Sequence, residues 1–458
     1  MPMGDPAPAS PAVDGATLEA EVQRIGRELA DAFPPPARHP VRSLDKRAMQ
    51  LTTEDARLGA AIFRLVDVTP ACRSLDDLAR HLVGYLRDVP EKPPPLEVGM
   101  KMANTAAGRK ALGAATAAGV RHMAHRFIVG ESPSAALDTI AGLWRSGIAT
   151  SVDLLGEATV TTAEADRYAA RCDEALVELS RAAATWPERE WLERDSVGTI
   201  PRVNLSVKVT ALTPLIRPEA PELGRDDAAT RMRPLLRRAR DLGAHLHVDM
   251  ESVDALETTA ELVLGLLAED EFVQGPSSGI VLQAYLRDSP AQLDRLLEWA
   301  GAHPRDSPFV VRLVKGAYWD HEVVEARQHG WSPPVFEQKA DCDRNFEHLT
   351  RRLLDARPLV RVKVGSHNLR SVAHAIAYNR LTGGSDSDLE LQVLRGLGDD
   401  LAEALRSERL RVRSYCPVGD LVAGMAYLVR RLLENTSNDS FLSSHAKGVP
   451  VEELLAAP

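Results

Sequence analysis

The feature that most constrains this chain is an alternation. From about residue 126, short β-branched apolar runs are each followed by a longer amphipathic stretch at helical spacing. The runs fall at 126–130, 149–155, 202–209, 244–250, 279–285, 309–314, 361–366 and 410–415, eight in all. Helical segments follow them at 133–146, 231–242, 251–268, 290–300, 341–356 and 421–435. Strands that alternate with helices pair in parallel through right-handed crossovers. Eight is the number that closes a barrel. The spacing therefore predicts an α/β chain built as a distorted (βα)8 barrel with an N-terminal α-helical region. An open doubly wound sheet is the alternative, but no G-x-G-x-x-G follows any run. Gly396-Leu397-Gly398-Asp399 lacks the third glycine and a preceding strand.

The rest of the organisation follows from breakers and composition. Residues 1–14 are rich in Pro, Ala and Gly and read as a disordered tail. Residues 15–120 read as the helical region, interrupted at Pro34-Pro35-Pro36, at Pro90 and at Pro93-Pro94-Pro95. The barrel is expected over 121–441, and 442–458 as a C-terminal tail. A net charge of −10 opposes an electrostatic nucleic-acid binder. Cys72, Cys172, Cys342 and Cys416 are far apart with no C-x-x-C, so neither a disulfide framework nor a zinc site is indicated and a reducing compartment is expected. The first residues lack a basic and then apolar leader pattern, and no uncharged apolar run approaches the ~20 residues of a membrane span. Attachment to a membrane surface leaves weaker marks and stays open.

Chemistry in such barrels sits at the carboxyl ends of the strands. A polar residue inside an apolar run there is costly unless paired or used. This chain places one repeatedly: Asp153 and Glu157, Lys208, Asp249, Gln283, Arg312, the turn Lys315-Gly316-Ala317-Tyr318-Trp319, Ser366-His367-Asn368, and Tyr415, with Arg430-Arg431 on the last helix. Each alone has a structural explanation, such as an internal ion pair or a solvated helix face. Seven of eight runs carrying one near the same end suggests a cofactor with anionic and hydrogen-bonding parts. Lys315-Gly316-Ala317 suits a pyrophosphate, and Trp319 an adenine face. Gln283 can both donate and accept at a flavin edge. Arg312 suits charge that develops on reduction, and an arginine pair suits a carboxylate. A metal-dependent hydrolase competes, because His245, His247 and Asp249 share one strand face. Against it, His245 lies at the amino end of its strand, and His367 would be nearly the only further ligand. A non-catalytic interaction protein would not need charges inside so many strands.

The long motifs carry a resemblance. Val311-Arg312-Leu313-Val314-Lys315-Gly316-Ala317-Tyr318-Trp319-Asp320 resembles the signature of the proline dehydrogenase family. So do Tyr415-Cys416-Pro417-Val418-Gly419, the stretch 426–435, Leu154-Leu155-Gly156-Glu157, Ser206-Val207-Lys208 and Gly365-Ser366-His367-Asn368. Over about 45–441 the chain is most similar to the proline dehydrogenase half of bacterial bifunctional proline utilisation enzymes.

The resemblance implies FAD as cofactor. It implies oxidation of L-proline to Δ1-pyrroline-5-carboxylate by hydride transfer from C5 to flavin N5, and electrons passed on to a membrane quinone. Asp249 and Arg312 would be catalytic. Lys208, Tyr415, Arg430 and Arg431 would bind substrate, and Glu157 would gate the site by pairing with Arg430. Met250, Gln283, Arg312, Lys315, Gly316, Ala317, Trp319, Ser366, His367, Asn368 and Glu434 would bind FAD, with no metal. A cytoplasmic enzyme that meets the inner face of the cell membrane is implied, with a pyrroline-5-carboxylate dehydrogenase as partner and no nucleic acid. The family's bifunctional members often begin with a ribbon-helix-helix domain, which nothing in this sequence suggests. Their aldehyde dehydrogenase domain would start beyond residue 458. His245 and His247 depart from the mostly apolar residues expected before Asp249.

Overall fold

The computed structural model describes residues 13–43, 45, 55–90, 92–156, 159–420, 424, 427 and 448–458. Eight parallel strands close into a barrel in chain order. They are β1 (Ala149–Leu154), β2 (Asn204–Lys208), β3 (His245–Asp249), β4 (Ser277–Gln283), β5 (Phe309–Val314), β6 (Val360–Gly365), β7 (Leu389–Leu394) and β8 (Arg411–Val418). The β1–β8 seam pairs six residues, Ala149 with Arg413 through Leu154 with Val418.

The strand count matches expectation, but one member differs. Residues 126–130 are not a strand: Phe127 ends the helix Ala106–Phe127. The β-branched Ile128-Val129 that suggested a strand is the exit from that helix. Val129 donates to the Pro417 carbonyl and Gly130 bridges to Val418, so the segment only caps the seam. The strand that replaces it is β7, Leu-Glu-Leu-Gln-Val-Leu. Its regular alternation is a strand signal, but it puts Glu390 and Gln392 inside the barrel, where apolar residues are the usual filling. β8 also runs past Tyr415 to Val418.

Helices cover the outside. Thr162–Ala183 starts with a capping box between Thr161 and Glu164. Pro221–Asp241, Val253–Leu267, Ser289–Ala302, Lys339–Asp355 and Leu369–Leu381 continue the ring. The helix Gly15–Asp31, capped by Asp14, buries Leu18, Val22, Ile25 and Leu29 at helical spacing in the core that the barrel and its helices share. The helices Ala56–Val68 and Leu75–Leu86 pack around their own core of Leu58, Leu65, Leu78, Leu82 and Leu86. The chain's last segment is not a free tail. Val451–Leu454 form one helical turn, and Leu455 is fully buried, its carbonyl accepting from Gln23 Nε2 and Arg370 Nη1. Among the described residues, no helix is long and apolar enough to cross a membrane.

Candidate active site

Period 2 sends alternate residues of every strand into the barrel, and many of those residues here are polar. Ser151 and Asp153, Asn204 and Ser206, His245, His247 and Asp249, Arg312, Lys363, Glu390, Gln392 and Arg413 are all less than a tenth exposed. The lumen is therefore a column of hydrogen bonds and ion pairs.

Its upper end, at the strand carboxyl termini, is one connected network. The register sets Lys208 directly beside Asp249. Arg312 Nη1 donates to Asp249 Oδ1 at 2.8 Å, and Tyr415 Oη donates to Asp249 Oδ2 at 2.6 Å. Lys208 Nζ lies 2.5 Å from Asp153 Oδ1 and 3.7 Å from Asp249 Oδ2. Arg312 Nη2 reaches Ser206 Oγ at 2.9 Å, and the guanidinium lies over the Tyr415 ring at 5.4 Å. The four predicted residues Lys208, Asp249, Arg312 and Tyr415 are thus brought together.

The electrostatics fix the protonation of Lys208 and Tyr415. Burial alone would lower the Lys208 pKa, but the Asp153 and Asp249 carboxylates outweigh it and raise the pKa above its ordinary value. Lys208 is therefore a permanent cation at neutral pH, suited to holding an anion and unsuited to acting as a base. Burial, then Asp153 and Asp249, push the Tyr415 phenol well above its ordinary range, so it stays a donor.

Around this network stand the other predicted positions. Gln283 ends β4; its Nε2 donates to the Glu251 carbonyl, while its buried Oε1 has no partner. Met250, half-buried, follows Asp249 on the same rim. After β5 the turn of Lys315, Gly316 and Ala317 leads into the helix Trp319–His329. The Lys315 ammonium pairs with Asp343, which also pairs with Lys339. Trp319 is 37% exposed, its indole N–H donating to the Phe336 carbonyl. After β6, Asn368 caps the helix Leu369–Leu381 by accepting from Ser371 N, and Ser366 Oγ accepts from Asn368 N. His367 Nε2 accepts from Leu394 N at 2.9 Å, which ties this loop to β7. Glu157, Arg430, Arg431 and Glu434 lie outside the described residues.

Three acidic residues with clear roles in this geometry were given none by sequence reasoning. Asp153, marked only as a polar strand end, is the nearest partner of Lys208. Glu251 accepts from Thr210 Oγ1, and Asp343 sits on a helix distant in sequence. Spacing along one strand cannot show partners supplied by another.

The histidine pair does not build a metal centre with Asp249. His245 Nε2 meets His247 Nδ1 at 3.1 Å and Lys363 Nζ at 3.3 Å, and His245 Nδ1 meets Ser277 Oγ. Burial first, then nearby Lys363, Arg312 and Arg413, hold both imidazoles well below their ordinary range. The nearby guanidiniums oppose a metal ion there, and the His245 ring nitrogens are taken up by Ser277, His247 and Lys363. Among the described residues, the one trio with ligand atoms in mutual reach is Cys72, Asp77 and His81, in and just before the helix Leu75–Leu86.

Comparison with known proteins fits this geometry. Residues 136–444 match the family described as proline dehydrogenase, and 19–127 match the proline utilization A N-terminal domain. The chain is 31% identical over 350 residues to the bifunctional protein PutA of Salmonella typhimurium, covering 74% of this chain and 25% of that protein. It is 28% identical over 324 residues to a proline dehydrogenase of Deinococcus radiodurans, covering 70% of this chain and 89% of that protein. The crystal structure of proline utilization A from Bdellovibrio bacteriovorus, inactivated by N-propargylglycine, superimposes with a TM-score of 0.87. That match has 34% identity and covers 97% of this chain and 44% of the other. The chain thus spans about a quarter of the length of the bifunctional relatives it matches. With more than half of its length matched, the chain belongs to the proline dehydrogenase family.

Proposed function

We propose that this chain oxidises L-proline to Δ1-pyrroline-5-carboxylate, the first step of proline catabolism to glutamate, with FAD as cofactor and a membrane quinone as final acceptor. The observation that carries the proposal is the buried network of Lys208, Asp249, Arg312 and Tyr415 at the catalytic end of the barrel. The substrate loses a hydride from C5 and a proton from nitrogen, which leaves a C=N bond. Bound FAD would supply the hydride acceptor at N5.

The residues present fit that cofactor. The unpartnered, buried Gln283 Oε1 awaits a donor such as a flavin ring N–H. The turn after β5 is a cradle that only glycine can form. Gly316 has φ +133, and a Cβ there would lie 2.4 Å from the Tyr285 ring. Gly316→Ala is accordingly expected to lower the flavin-to-protein absorbance ratio of the purified protein severalfold. A ratio equal to wild type would remove the turn from the cofactor site. Ala317, Trp319, Met250, Ser366, His367, Asn368 and Glu434 complete the proposed FAD contacts. Lys315 would contribute through a charge shared with Asp343.

Substrate binding is assigned to cations. Arg430 and Arg431 would grip the proline carboxylate in a fork, with the Lys208 ammonium beside it. Glu157 would gate entry through Arg430. Tyr415 would wall the pyrrolidine ring, held in place by Asp249 and by the guanidinium of Arg312. Asp249 would act by orientation, since Arg312 and Tyr415 occupy its two oxygens. Arg312 would present its positive charge to the site of reduction. The electron acceptor places the chain peripherally at the cytoplasmic face of the membrane. A pyrroline-5-carboxylate dehydrogenase is the partner that would consume the product.

The test is a visible spectrum of the purified protein without oxygen, before and after L-proline. A flavin spectrum that bleaches with proline, and turnover that N-propargylglycine abolishes as in the Bdellovibrio relative, is the expected result. A colourless protein, or a flavin that proline leaves oxidised, would overturn the proposal.

A further inference from the structure

The amino-terminal end of the barrel lumen holds a second cluster that the proposed reaction does not use. Arg361, Lys363, Arg411 and Arg413 converge there with Glu390 around a cavity of about 20 Å³. Glu390 takes a two-pronged contact from Arg413 at 2.8 and 2.9 Å and lies 3.7 Å from Lys363 Nζ. Asp195 balances Arg361 from outside at 2.8 Å. Three guanidiniums and the Lys363 amine thus face two carboxylates, an excess of positive charge even with Lys363 neutral.

Two donors in the lining are unsatisfied. Arg411 is 3% exposed and Asn204 2%. Arg411 Nη1 reaches the Arg194 carbonyl, but its Nε has no hydrogen bond; Glu390 Oε2 is 3.9 Å away. Asn204 accepts from Ser151 Oγ through Oδ1, while its Nδ2 has no partner. Buried donors of this kind are rare without an occupant to satisfy them. The local potential has the matching sign. Burial, together with the guanidiniums of Arg413, Arg312 and Arg411, drives Lys363 well below its ordinary pKa despite Glu390.

We propose that this cavity binds a single monovalent halide, chloride under ordinary conditions, between Arg411 Nε and Asn204 Nδ2. The charge excess favours an anion over water, because unbalanced charge is costly at low dielectric. The size decides the class: about 20 Å³ holds one water-sized species and excludes phosphate or a carboxylate. An outer cleft of about 490 Å³ shares the lining residue Arg361 with it.

The experiment compares thermal melting of the full chain in sodium chloride and in sodium gluconate at equal ionic strength. A saturable rise in Tm of about 2 °C in chloride is expected, as for any ligand that binds only the folded state. Arg411→Gln should lose that difference between salts. Crystals grown in bromide should show an anomalous peak within hydrogen-bond reach of Arg411 Nε and Asn204 Nδ2, a readout that does not depend on the variant folding. Equal melting in the two salts, a response retained in Arg411→Gln, or a cavity without a bromide peak would each overturn the proposal.

Discussion

Asp249→Ala is expected to lower turnover of L-proline by about 100- to 1,000-fold, the usual loss when one preorganised electrostatic element is removed from a site. The carboxylate holds three groups at once: Arg312 at 2.8 Å, Tyr415 at 2.6 Å and Lys208 at 3.7 Å. Among the described residues it is the only charge partner of Arg312. Without it, the guanidinium keeps only the Ser206 hydroxyl and the Tyr415 ring, neither of which balances its charge. Tyr415 loses the acceptor that aims its ring. The loss should fall mainly on kcat, because the carboxylate-binding cations remain. Asp249→Asn separates orientation from charge: its amide still accepts from one donor but cannot balance Arg312. An orienting role therefore predicts partial recovery of kcat in Asp249→Asn over Asp249→Ala. Should Asp249→Ala raise the Michaelis constant and leave kcat near wild type, Asp249 would be a ground-state binding residue instead.

How much of this was legible in the chain can be judged from single positions. Lys208, Asp249, Arg312 and Tyr415 are charged or hydrogen-bonding residues in otherwise apolar runs. That violation is visible in one dimension, because burying such groups is costly. Glu390 and Gln392 break the same rule, but their alternation with Leu389, Leu391 and Val393 is also the pattern of a half-exposed strand, and no run is read there. Both faces of a barrel strand are buried, so alternation with polar residues means a polar lumen here and an exposed face elsewhere. Residues 126–130 failed for the opposite reason: their β-branched sequence satisfied strand propensity, but a 22-residue helix ending at Phe127 governed the backbone. The pairing of Lys315 with Asp343 joins groups 28 residues apart on different elements. Only closure of the barrel could reveal it.

The lumen makes a prediction at its other end, where stability rather than turnover should suffer. Glu390→Gln is expected to destabilise the fold by about 3–5 kcal/mol, because it strands buried cations without their counter-charge. The side chain is 3% exposed and accepts both prongs of Arg413, with Lys363 at 3.7 Å and Arg411 at 3.9 Å. Gln392 Nε2 also donates to it at 2.6 Å. Burial alone would raise the carboxyl pKa, but Arg413 and Lys363 outweigh it and hold Glu390 well below its ordinary 4.5. A depressed folded-state pKa stabilises fully above the unfolded value; the contribution fades as pH falls from that value and is gone below the folded one. Wild type should therefore keep this contribution at neutral pH and lose all of it only in strong acid. The gap between wild type and Glu390→Gln, read by denaturant unfolding, should be full at pH 7, begin to narrow as pH falls below the ordinary 4.5, and close only in strong acid. The Michaelis constant for proline should not move at a temperature where the variant is folded, since Glu390 touches none of the groups at the carboxyl end. The double variant Glu390→Gln with Arg413→Met should lose less than the two single losses combined, because the second change removes the cation that the first one strands. Additive losses would mean that Glu390 and Arg413 are neighbours without being an energetic pair, and the ionic account of the lower lumen would fall.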